Sequence, residues 1–270
     1  MEPGDRQTTD HIVEMENISK RFGEVVALED VTLRLRRNEV LALAGDNGAG
    51  KSTLIKCLAG AIRPDSGTIR IEGEEVHIES PRDAKRRGIE TTFQDLAIAG
   101  NLTVAQNIFL GREQVTGPDS LLGILDKGSM RERARELLED LNIDVDVDAK
   151  VSNLSGGERQ LVSISRTLLS DPDIVIMDEP TSALSVEGAD RVLELINQMQ
   201  DQGISIILIS HNLDYVRRAA DRIQVLYHGH SAGVIDETNV DREDIVSRMI
   251  GGLPEEERGE GGQSEDAVSA

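Results

Sequence analysis

The run Gly45-Asp46-Asn47-Gly48-Ala49-Gly50-Lys51-Ser52 constrains this chain more than any other feature. It matches G-x-x-x-x-G-K-[ST], a pattern in which each residue type has a physical task. The glycines let the backbone curl until several N–H groups point at one anion, and the lysine can reach the β- and γ-phosphates of a nucleotide. The hydroxyl of Ser52 can ligate Mg²⁺. The run therefore predicts a loop that binds a nucleoside triphosphate.

The flanking sequence supports this interpretation. Residues 39–44 are mostly apolar and extended in character, and residues 53–59 place apolar side chains at helical spacing before Gly60. A strand, a glycine loop and a helix are the context that the motif requires, and the helix N-terminus adds partial positive charge beneath the phosphates. The residues expected to contact ATP here are Gly45, Asp46, Asn47, Gly48, Ala49, Gly50, Lys51, Ser52 and Thr53.

Length and composition bound the class of protein. The chain has 270 residues, of which 38% are hydrophobic, enough for one large α/β domain or two small ones. No apolar run approaches the ~18 residues needed to span a bilayer, and residues 1–5 lack the basic and apolar regions of a signal peptide. We therefore expect a protein of the cytosol or of the cytosolic face of a membrane. The single cysteine, Cys57, excludes a disulfide framework and is expected to be a small core residue.

The charge balance is strongly acidic. The chain has 50 acidic and 29 basic residues, for a net charge of −21, and only six of its residues are lysine. This argues against nucleic acid as the main partner, because phosphate binding needs a basic face. An acidic, lysine-poor surface also predicts a halophilic protein, because a high-salt cytoplasm screens self-repulsion.

Hydrophobic patterns predict alternating strands and helices. Residues 12–37 have the alternation of antiparallel strands, residues 67–73 indicate another strand, and Ser80-Pro81 begins a short helix. Buried, mostly apolar strands are predicted at residues 173–177 and 204–209. The helix between them carries one apolar face, formed by Ala189, Val192, Leu193, Ile196 and Met199. Such alternation is typical of a mostly parallel sheet covered by helices.

The middle of the chain has a different character. From about residue 95 to residue 152 the sequence is helical and rich in loops, which predicts an inserted helical subdomain. Ser129 and Glu132 have the spacing of a capping box, followed by one apolar helix face. Residues 1–11 and the acidic tail 254–270 are expected to be disordered, so that residues 12–253 form the folded domain.

Two adjacent carboxylates end the apolar strand at residues 174–177. In phosphate-loop enzymes a carboxylate at such a strand end holds Mg²⁺, a role that fits Asp178. Glu179 is then placed to polarise the attacking water near the γ-phosphate. An isolated acidic pair more often begins a solvated loop, but its occurrence with the phosphate loop favours the catalytic interpretation.

A second anion-binding element precedes the helix predicted at residues 159–169. Its residues are Leu154, Ser155, Gly156, Gly157 and Glu158, in which a serine and two glycines stand at the helix N-terminus. Together with the phosphate loop and the acidic pair, in this order, the segment resembles the signature of the ATP-binding-cassette (ABC) ATPases, over about residues 12–250. The resemblance implies an α/β P-loop NTPase fold with a mostly parallel sheet, an N-terminal antiparallel β-subdomain and an inserted helical subdomain.

The resemblance also implies roles for residues that are weak signals when read alone. Phe22 matches the aromatic residue that stacks on adenine, and Gln94 matches the Q-loop glutamine that contacts Mg²⁺ or water and senses the membrane partner. His211 matches the switch histidine that contacts the γ-phosphate. The implied Mg²⁺ ligands are Ser52, Gln94 and Asp178. Taken without the family, a phenylalanine is usually core, a glutamine usually lies on the surface, and one histidine of five usually has no catalytic role.

One segment departs from the family pattern. The D-loop is Ser182-Ala183-Leu184-Ser185, whereas the family usually has aspartate at the last position. That carboxylate normally helps to couple two nucleotide sites across a dimer. The departure implies a weakened or rewired contact between the sites, without loss of activity.

In the family two copies face head to tail, with ATP held between the phosphate loop of one and the signature of the other. The resemblance thus implies ATP hydrolysis that drives separate transmembrane permease subunits from the cytoplasmic face of the membrane. Residues 95–152 would carry the docking surface beside Gln94. Residues 88–97 and 101–113 look like those of monosaccharide-importer ATPases (ribose, xylose, fructose type), which implies an extracytoplasmic sugar-binding protein as an indirect partner.

Three alternatives stay open at this point. The chain could serve an exporter or an importer of another substrate. It could be a non-transport cassette protein acting on DNA or ribosomes, although the long coiled-coil insertions or basic tandem linkers of that class are absent. It could also be a nucleotide-gated structural subunit without turnover, against which Glu179 argues.

Overall fold

The computed structural model describes residues 10–92, 97–116, 124–236 and 242–251. The predicted disordered termini lie almost wholly outside the described residues, as does Gln94. The strands are β1 (His11–Phe22), β2 (Val25–Arg36), β3 (Val40–Gly45), β4 (Ser66–Ile71), β5 (Glu74–Val76), β6 (Ile89–Thr92), β7 (Val115–Thr116), β8 (Ile124–Leu125), β9 (Ile174–Asp178), β10 (Ser205–Ile209), β11 (Arg222–Tyr227) and β12 (His230–Ile235). The α-helices are α1 (Lys51–Leu58), α2 (Pro81–Arg86), α3 (Val104–Ile108), α4 (Lys127–Asp140), α5 (Gly156–Leu168), α6 (Val186–Asp201), α7 (Leu213–Ala219) and α8 (Arg242–Met249), and a 3₁₀ turn spans Val151–Asn153.

A six-stranded sheet with the order β12-β11-β3-β10-β9-β6 forms the centre of the fold. The strands from β11 to β6 are parallel, and only β12 runs antiparallel to its neighbour. Every residue of β3 and β10 is buried. This is the expected pattern for parallel strands that are covered on both faces, and it confirms the predicted mostly parallel sheet.

Alternate side chains of the central strands enter two separate cores. Val40, Ala42 and Ala44 of β3 pack with the buried residues of α3 to α8, whereas Leu41 and Leu43 pack with those of α1, β1, β2 and β4. The division follows from the two-residue repeat of a strand, which sends successive side chains to opposite faces. Helices α1 and α5 therefore lie on opposite faces of the central sheet.

The second sheet is antiparallel, with the order β2-β1-β4-β5. The sequence predicted antiparallel strands before the phosphate loop, and β1 and β2 confirm this. The sheet also includes β4 and β5, which follow the loop helix in the chain. This sheet is therefore assembled from both sides of the phosphate loop and covers α1.

The segment between residues 97 and 152 contains α3, α4 and the small hairpin of β7 and β8, which the sequence reading did not anticipate. The predicted capping box at Ser129 is wrong. Helix α4 begins earlier, and its N-cap is Asp126, whose side chain accepts a hydrogen bond from the Ser129 backbone N–H. Aspartate and serine are equally good N-cap residues, so the sequence is also compatible with a helix that begins just after Asp126. The predicted apolar face is present, with Ala134, Leu138 and Leu141 buried.

Candidate functional site

Three motifs meet at one edge of the central sheet because their strands are neighbours. In β10, Ile209 pairs with Asp178 of β9 on one side and with Leu43 of β3 on the other. The carboxyl ends of parallel strands share an edge, so the phosphate loop after β3, the acidic pair at the end of β9 and His211 after β10 emerge together. The order β3-β10-β9 thus brings together residues more than a hundred positions apart.

The nine predicted phosphate contacts occupy the end of β3, the connecting loop and the first turn of α1. They are Gly45, Asp46, Asn47, Gly48, Ala49, Gly50, Lys51, Ser52 and Thr53. Two of the glycines are sterically required. A Cβ on Gly45, with φ +151°, would lie 2.5 Å from the Leu226 carbonyl oxygen, and one on Gly50, with φ +103°, would lie 2.7 Å from the Ala27 carbonyl oxygen. The loop is therefore held close to β11 and β2, with its backbone in conformations that favour glycine.

The ammonium group of Lys51 lies within the curve of the loop. Its Nζ donates to the Gly45 carbonyl at 2.7 Å and to the Asp46 carbonyl at 3.0 Å. Burial lowers the pKa of Lys51, and the negative charge of Glu179 is the largest opposing influence, followed by Asp46 and Asp178. Lys51 is thus a partly desolvated cation facing the two strand-end carboxylates.

Asp178 and Glu179 carry the matching negative charge. The pKa of Asp178 is raised, first by burial and then by the charge of Glu179, while Lys51 acts in the opposite direction. Two carboxylates in a half-buried place repel each other, and a cation beside them relieves that repulsion. The site therefore combines one fixed cation, the Lys51 ammonium, with an acidic pair whose negative charge favours the binding of a second cation.

Glu179 and His211 lie close together where β10 ends. The Glu179 N–H donates to the Ile209 carbonyl at 2.9 Å, and Glu179 adopts a left-handed backbone with φ +53°. Nδ1 of His211 lies 2.8 Å from Oε2 of Glu179. The imidazole N–H is not aligned with that oxygen, which is buried without a hydrogen bond from the described residues. A strained, non-glycine backbone that carries an unpaired carboxylate oxygen is typical of a functional site.

Asn212 is a positioning residue that the sequence reading missed. Its side chain caps α7 by accepting hydrogen bonds from the N–H groups of Asp214 and Tyr215, and its own N–H donates to Oγ of Ser210. His211 is therefore held between the end of β10 and a capped helix. An asparagine just before a helical pattern is a recognisable N-cap signal, so this role could have been found from the sequence.

The signature segment forms a complete capping box at the start of α5. Ser155 Oγ accepts from the Glu158 N–H at 3.2 Å, and Glu158 Oε2 accepts from the Ser155 N–H at 2.7 Å. The hydrogen bond from the Ser155 backbone holds the pKa of Glu158 below its usual range. Leu154, Gly156 and Gly157 complete the segment, and Ser155 is exposed. The N-terminus of α5 is thus a rigid helix end that opens to solvent.

The D-loop residues lie between β9 and α6, next to the signature segment. Ser182 and Leu184 form hydrogen-bonded turns, and Ala183 has a positive φ of 59°. Ser185 is the N-cap of α6, with Oγ accepting from the Gly188 N–H at 3.2 Å. A Cβ on Gly157 would lie 3.1 Å from the Cα of Gly188, so α5 and α6 begin in close contact. Ser185 therefore has a local structural role that the sequence reading did not assign.

Phe22 ends β1 and has half of its surface exposed. The ammonium of Lys20 lies 5.6 Å from its ring centroid, within the range of a cation–π contact. Lys20 also pairs with Asp65 at 2.7 Å. An exposed aromatic ring with one cationic neighbour is available for stacking. Gln94 lies outside the described residues, so its position relative to this site stays a prediction.

Comparison with known proteins identifies the family. Residues 28–182, more than half of the chain, match the family described as ABC transporter. The chain belongs to the ABC transporter family. Among ABC relatives, a xylose/arabinose import ATP-binding protein, XylG, of Sulfolobus acidocaldarius is 44% identical over 81% of this chain and 85% of its own length. A fructose import ATP-binding protein, FrcA, of Rhizobium meliloti is 41% identical over 89% of this chain and 94% of its own length.

Other ABC relatives are about twice as long. A ribose import ATP-binding protein, RbsA 1, of Rubrobacter xylanophilus is 41% identical over 91% of this chain but only 48% of its own length. The chain spans about half the length of this and several further curated relatives.

Solved ABC structures show the same fold. The ADP conformation of MJ1267, an ATP-binding cassette of an ABC transporter, has a TM-score of 0.76 at 28% identity, with 90% of this chain and all of the other covered. A dimeric post-hydrolysis structure of the cassette MJ0796, bound to ADP and Pi, has a TM-score of 0.67 at 25% identity, over 83% of this chain and 98% of the other. The predicted P-loop ABC fold is confirmed.

Proposed function

We propose that this protein is the ATP-binding and ATP-hydrolysing subunit of an ABC importer for a monosaccharide. The observation that carries the proposal is the meeting of the phosphate loop, the Asp178–Glu179 pair and His211 at one sheet edge. The relatives that this chain matches over most of both lengths are named import ATP-binding proteins for xylose and arabinose or for fructose.

The residues of the loop suit a triphosphate. The Lys51 ammonium and the N–H groups of residues 46–53 supply positive charge on one side, and the N-terminus of α1 adds to it. Glu179 is the base that orients and polarises the attacking water, and its Oε2 accepts no hydrogen bond from the described residues. His211, 2.8 Å from that oxygen, stabilises the charge that develops at the γ-phosphate.

The donor set also fits Mg²⁺. Within the described residues, no group of three or more His, Cys, Asp or Glu side chains could hold a metal by itself. Mg²⁺ at phosphate-loop sites needs few protein ligands, because substrate phosphates and water supply the rest. Ser52, Asp178 and Gln94 are the proposed ligands. When bound, the ion would neutralise phosphate charge. Burial, and then the charge of Glu179, raise the pKa of Asp178, and a cation beside that carboxylate would oppose both effects.

The signature segment is proposed to act on a second copy of the chain. Helices α1 and α5 pack against opposite faces of the central sheet, so Ser155 and the phosphate loop of one copy belong to different cores. Each therefore exposes half of an anion site, and ATP between two copies satisfies both. The dimer of MJ0796 is a precedent for pairing in the family. Phe22 would stack on the adenine, and the D-loop residues 182–185 would lie near the interface between the two copies.

The remaining partners follow from this function. Among the described residues, no helix combines the length and the apolar character needed to cross a bilayer. We assign the transport path to separate permease subunits, reached from the cytoplasmic face, and sugar capture to an extracytoplasmic binding protein. Residues 95–152 are the proposed docking subdomain. The net charge of −21 argues against nucleic acid as a partner.

The ATPase proposal is tested with Glu179→Gln. Losing the base should lower ATP turnover by about 10²-fold to 10⁴-fold while leaving nucleotide affinity intact, so ATP should trap a dimer on size exclusion. Glu139→Gln, an exposed position on α4, is the matched control and should turn over ATP normally. A Glu179→Gln protein that stays monomeric with ATP and Mg²⁺ contradicts the proposal.

The sugar assignment needs a separate experiment. The protein is reconstituted in vesicles with candidate permease subunits from its own genome, and ATP-driven movement of labelled ribose, xylose and fructose is measured. Accumulation of one sugar, dependent on its binding protein, supports import. Movement in the opposite direction, or stimulation only by a non-sugar solute, overturns the assignment and leaves the ATPase proposal standing.

A further inference from the structure

Glu90 is a buried anion that the proposed chemistry does not use. It lies on β6, where it pairs with Val175 of β9, and only 4% of its side chain is exposed. A carboxylate so far from water is costly unless several partners compensate its charge. The segments that supply partners to Glu90 are therefore the parts of the fold that its charge joins.

Those partners come from three separate segments. Nη2 of Arg112, in the turn after α3, lies 2.5 Å from Oε1 of Glu90, and Nζ of Lys85 on α2 lies 3.1 Å from Oε2. The hydroxyl of Ser170, just after α5, donates to Oε1 at 2.8 Å. Glu90 thus joins the strand that leads toward Gln94 to the end of α5.

A second connection runs from α5 to the residues after Gln94. Nη1 of Arg166, in the last turn of α5, donates to the Ala97 carbonyl at 3.0 Å. Nη1 of Arg112 is 3.5 Å from the Arg166 carbonyl. A cavity of about 210 Å³ lies beside this group of residues, bounded by Glu90, Arg112 and Arg166. The residues on both sides of positions 93–96 are therefore hydrogen-bonded to residues at or just after the C-terminal end of α5.

We propose that Glu90 and Arg112 are positioning residues for the signature segment, and this inference rests on the proposed function. Helix α5 has 13 residues and is about 20 Å long, and its N-terminus carries Ser155. A helix is stiff, so a small rotation at the Glu90 end displaces the Ser155 end. The Glu90–Arg112 pair fixes the angle at which Ser155 meets the nucleotide of the second copy.

The test separates positioning from simple stabilisation. Glu90→Gln and Arg112→Gln are each made in the Glu179→Gln background, and two quantities are measured: the ATP affinity of the monomer and the dissociation rate of the ATP-bound dimer. We expect ATP affinity within about twofold of the parent, because the phosphate loop and α1 pack in a different core from α5. The dimer should dissociate at least tenfold faster. Glu79→Gln, at the exposed ion pair with Arg63, is the matched control and should change neither quantity.

Two further variants control for folding. Arg112→Lys keeps the positive charge but loses the planar guanidinium group. This variant replaces Glu90→Gln in the test if Glu90→Gln does not fold. The double variant Glu90→Gln/Arg112→Gln removes both charges and leaves only the half-exposed Lys85 without its carboxylate, so stability should recover. If the pair has a positioning role, the dimer of the double variant stays short-lived although its melting temperature recovers.

The outcomes are distinguishable. A dimer lifetime that follows melting temperature across all variants, or that is unchanged in Glu90→Gln, overturns the positioning role and leaves the proposed ATPase intact. A Glu179→Gln parent that forms no dimer with ATP overturns the proposed function and this inference with it.

Discussion

Nδ1 of His211 lies 2.8 Å from Oε2 of Glu179, although the two residues follow different strands and are separated in the chain by all of α6 and β10. Glu179 is largely buried, with 15% of its side chain exposed, whereas 72% of the histidine side chain is exposed. The carboxylate is therefore fixed by the fold, and the imidazole is the partner that can reach outward. This arrangement suits a base that orients water and a neighbour that contacts the phosphate being transferred.

His211→Ala should slow ATP hydrolysis by about 10²-fold to 10³-fold, because a donor near the developing phosphate charge is lost. ATP affinity should change by less than about threefold, since Lys51 and the loop N–H groups are untouched. Turnover and nucleotide binding are measured on the same preparation. His77→Ala is the matched control, because His77 is an exposed histidine that follows β5, in the antiparallel sheet. Equal losses in both variants would count against a specific role for His211.

Lys51→Met should raise the Kd for ATP by at least about tenfold, because a hydrogen bond to a charged group contributes about 1.5–3 kcal/mol. The methionine also leaves the Gly45 and Asp46 carbonyls without the donor they now have. Affinity is measured by equilibrium dialysis with labelled ATP. Lys56→Met alters an exposed lysine on the same helix and should bind ATP normally. Normal affinity in Lys51→Met would exclude the loop as the phosphate site.

Ser185 has two separable contributions, one to its own helix and one to the coupling of sites. Ser185→Ala removes the N-cap of α6 and should cost about 1 kcal/mol of unfolding free energy, measured by urea denaturation. Ser185→Asp keeps an N-cap and should be as stable as the parent. If the missing D-loop carboxylate matters, only the aspartate variant changes the ATPase rate or its cooperativity. An unchanged rate and cooperativity in Ser185→Asp would make the sequence departure functionally trivial.

Cys57 should be inert to alkylation in the native protein. It is fully buried on α1, and burial raises the pKa of its thiol to about 11. The reactive thiolate is therefore scarce at pH 8, and its fraction rises only as the pH approaches 11. Iodoacetamide at pH 8 should label Cys57 at least about a hundredfold more slowly in the native protein than in guanidinium, as followed by mass spectrometry. Rapid native labelling would show that α1 opens locally.

Salt should stabilise this protein through its net charge of −21. Screening weakens self-repulsion, so the melting temperature should rise between low and molar KCl. Sucrose of equal osmolality controls for solute exclusion, which stabilises proteins without screening charge. A melting temperature that does not rise in KCl, or rises equally in sucrose, would remove the argument for a high-salt habitat.

Local sequence patterns were sufficient for the elements that carry the chemistry. The glycine pattern at residues 45–52 predicted the loop, and the apolar run before Asp178 predicted its strand. Ser155 indicated a helix N-terminus, although the helix begins at Gly156, three residues before its predicted start. These features depend on neighbours within a few residues, so local spacing defines them. The cap at Ser129 was wrong for a related reason, because Asp126 offers the same local hydrogen bond one turn earlier.

Other features depend on contacts that no local pattern contains. Arg112 and Ser170 reach Glu90 across 22 and 80 positions of sequence. The pairing of β4 and β5 with β1 depends on how the chain returns after α1, and the hairpin of β7 and β8 pairs two residues per strand, too few for a periodic signal.

By itself, the sequence determined which chemical groups this protein has and how each is presented: a phosphate loop, an acidic strand end, a capped signature helix. The tertiary structure alone decided which of them meet. Parallel pairing in the order β3-β10-β9 brings Lys51, Glu179 and His211 to one edge, because sheet neighbours are chosen by packing and not by proximity in the chain. The same sheet separates α1 from α5, because successive strand side chains enter opposite cores, and so leaves Ser155 facing outward.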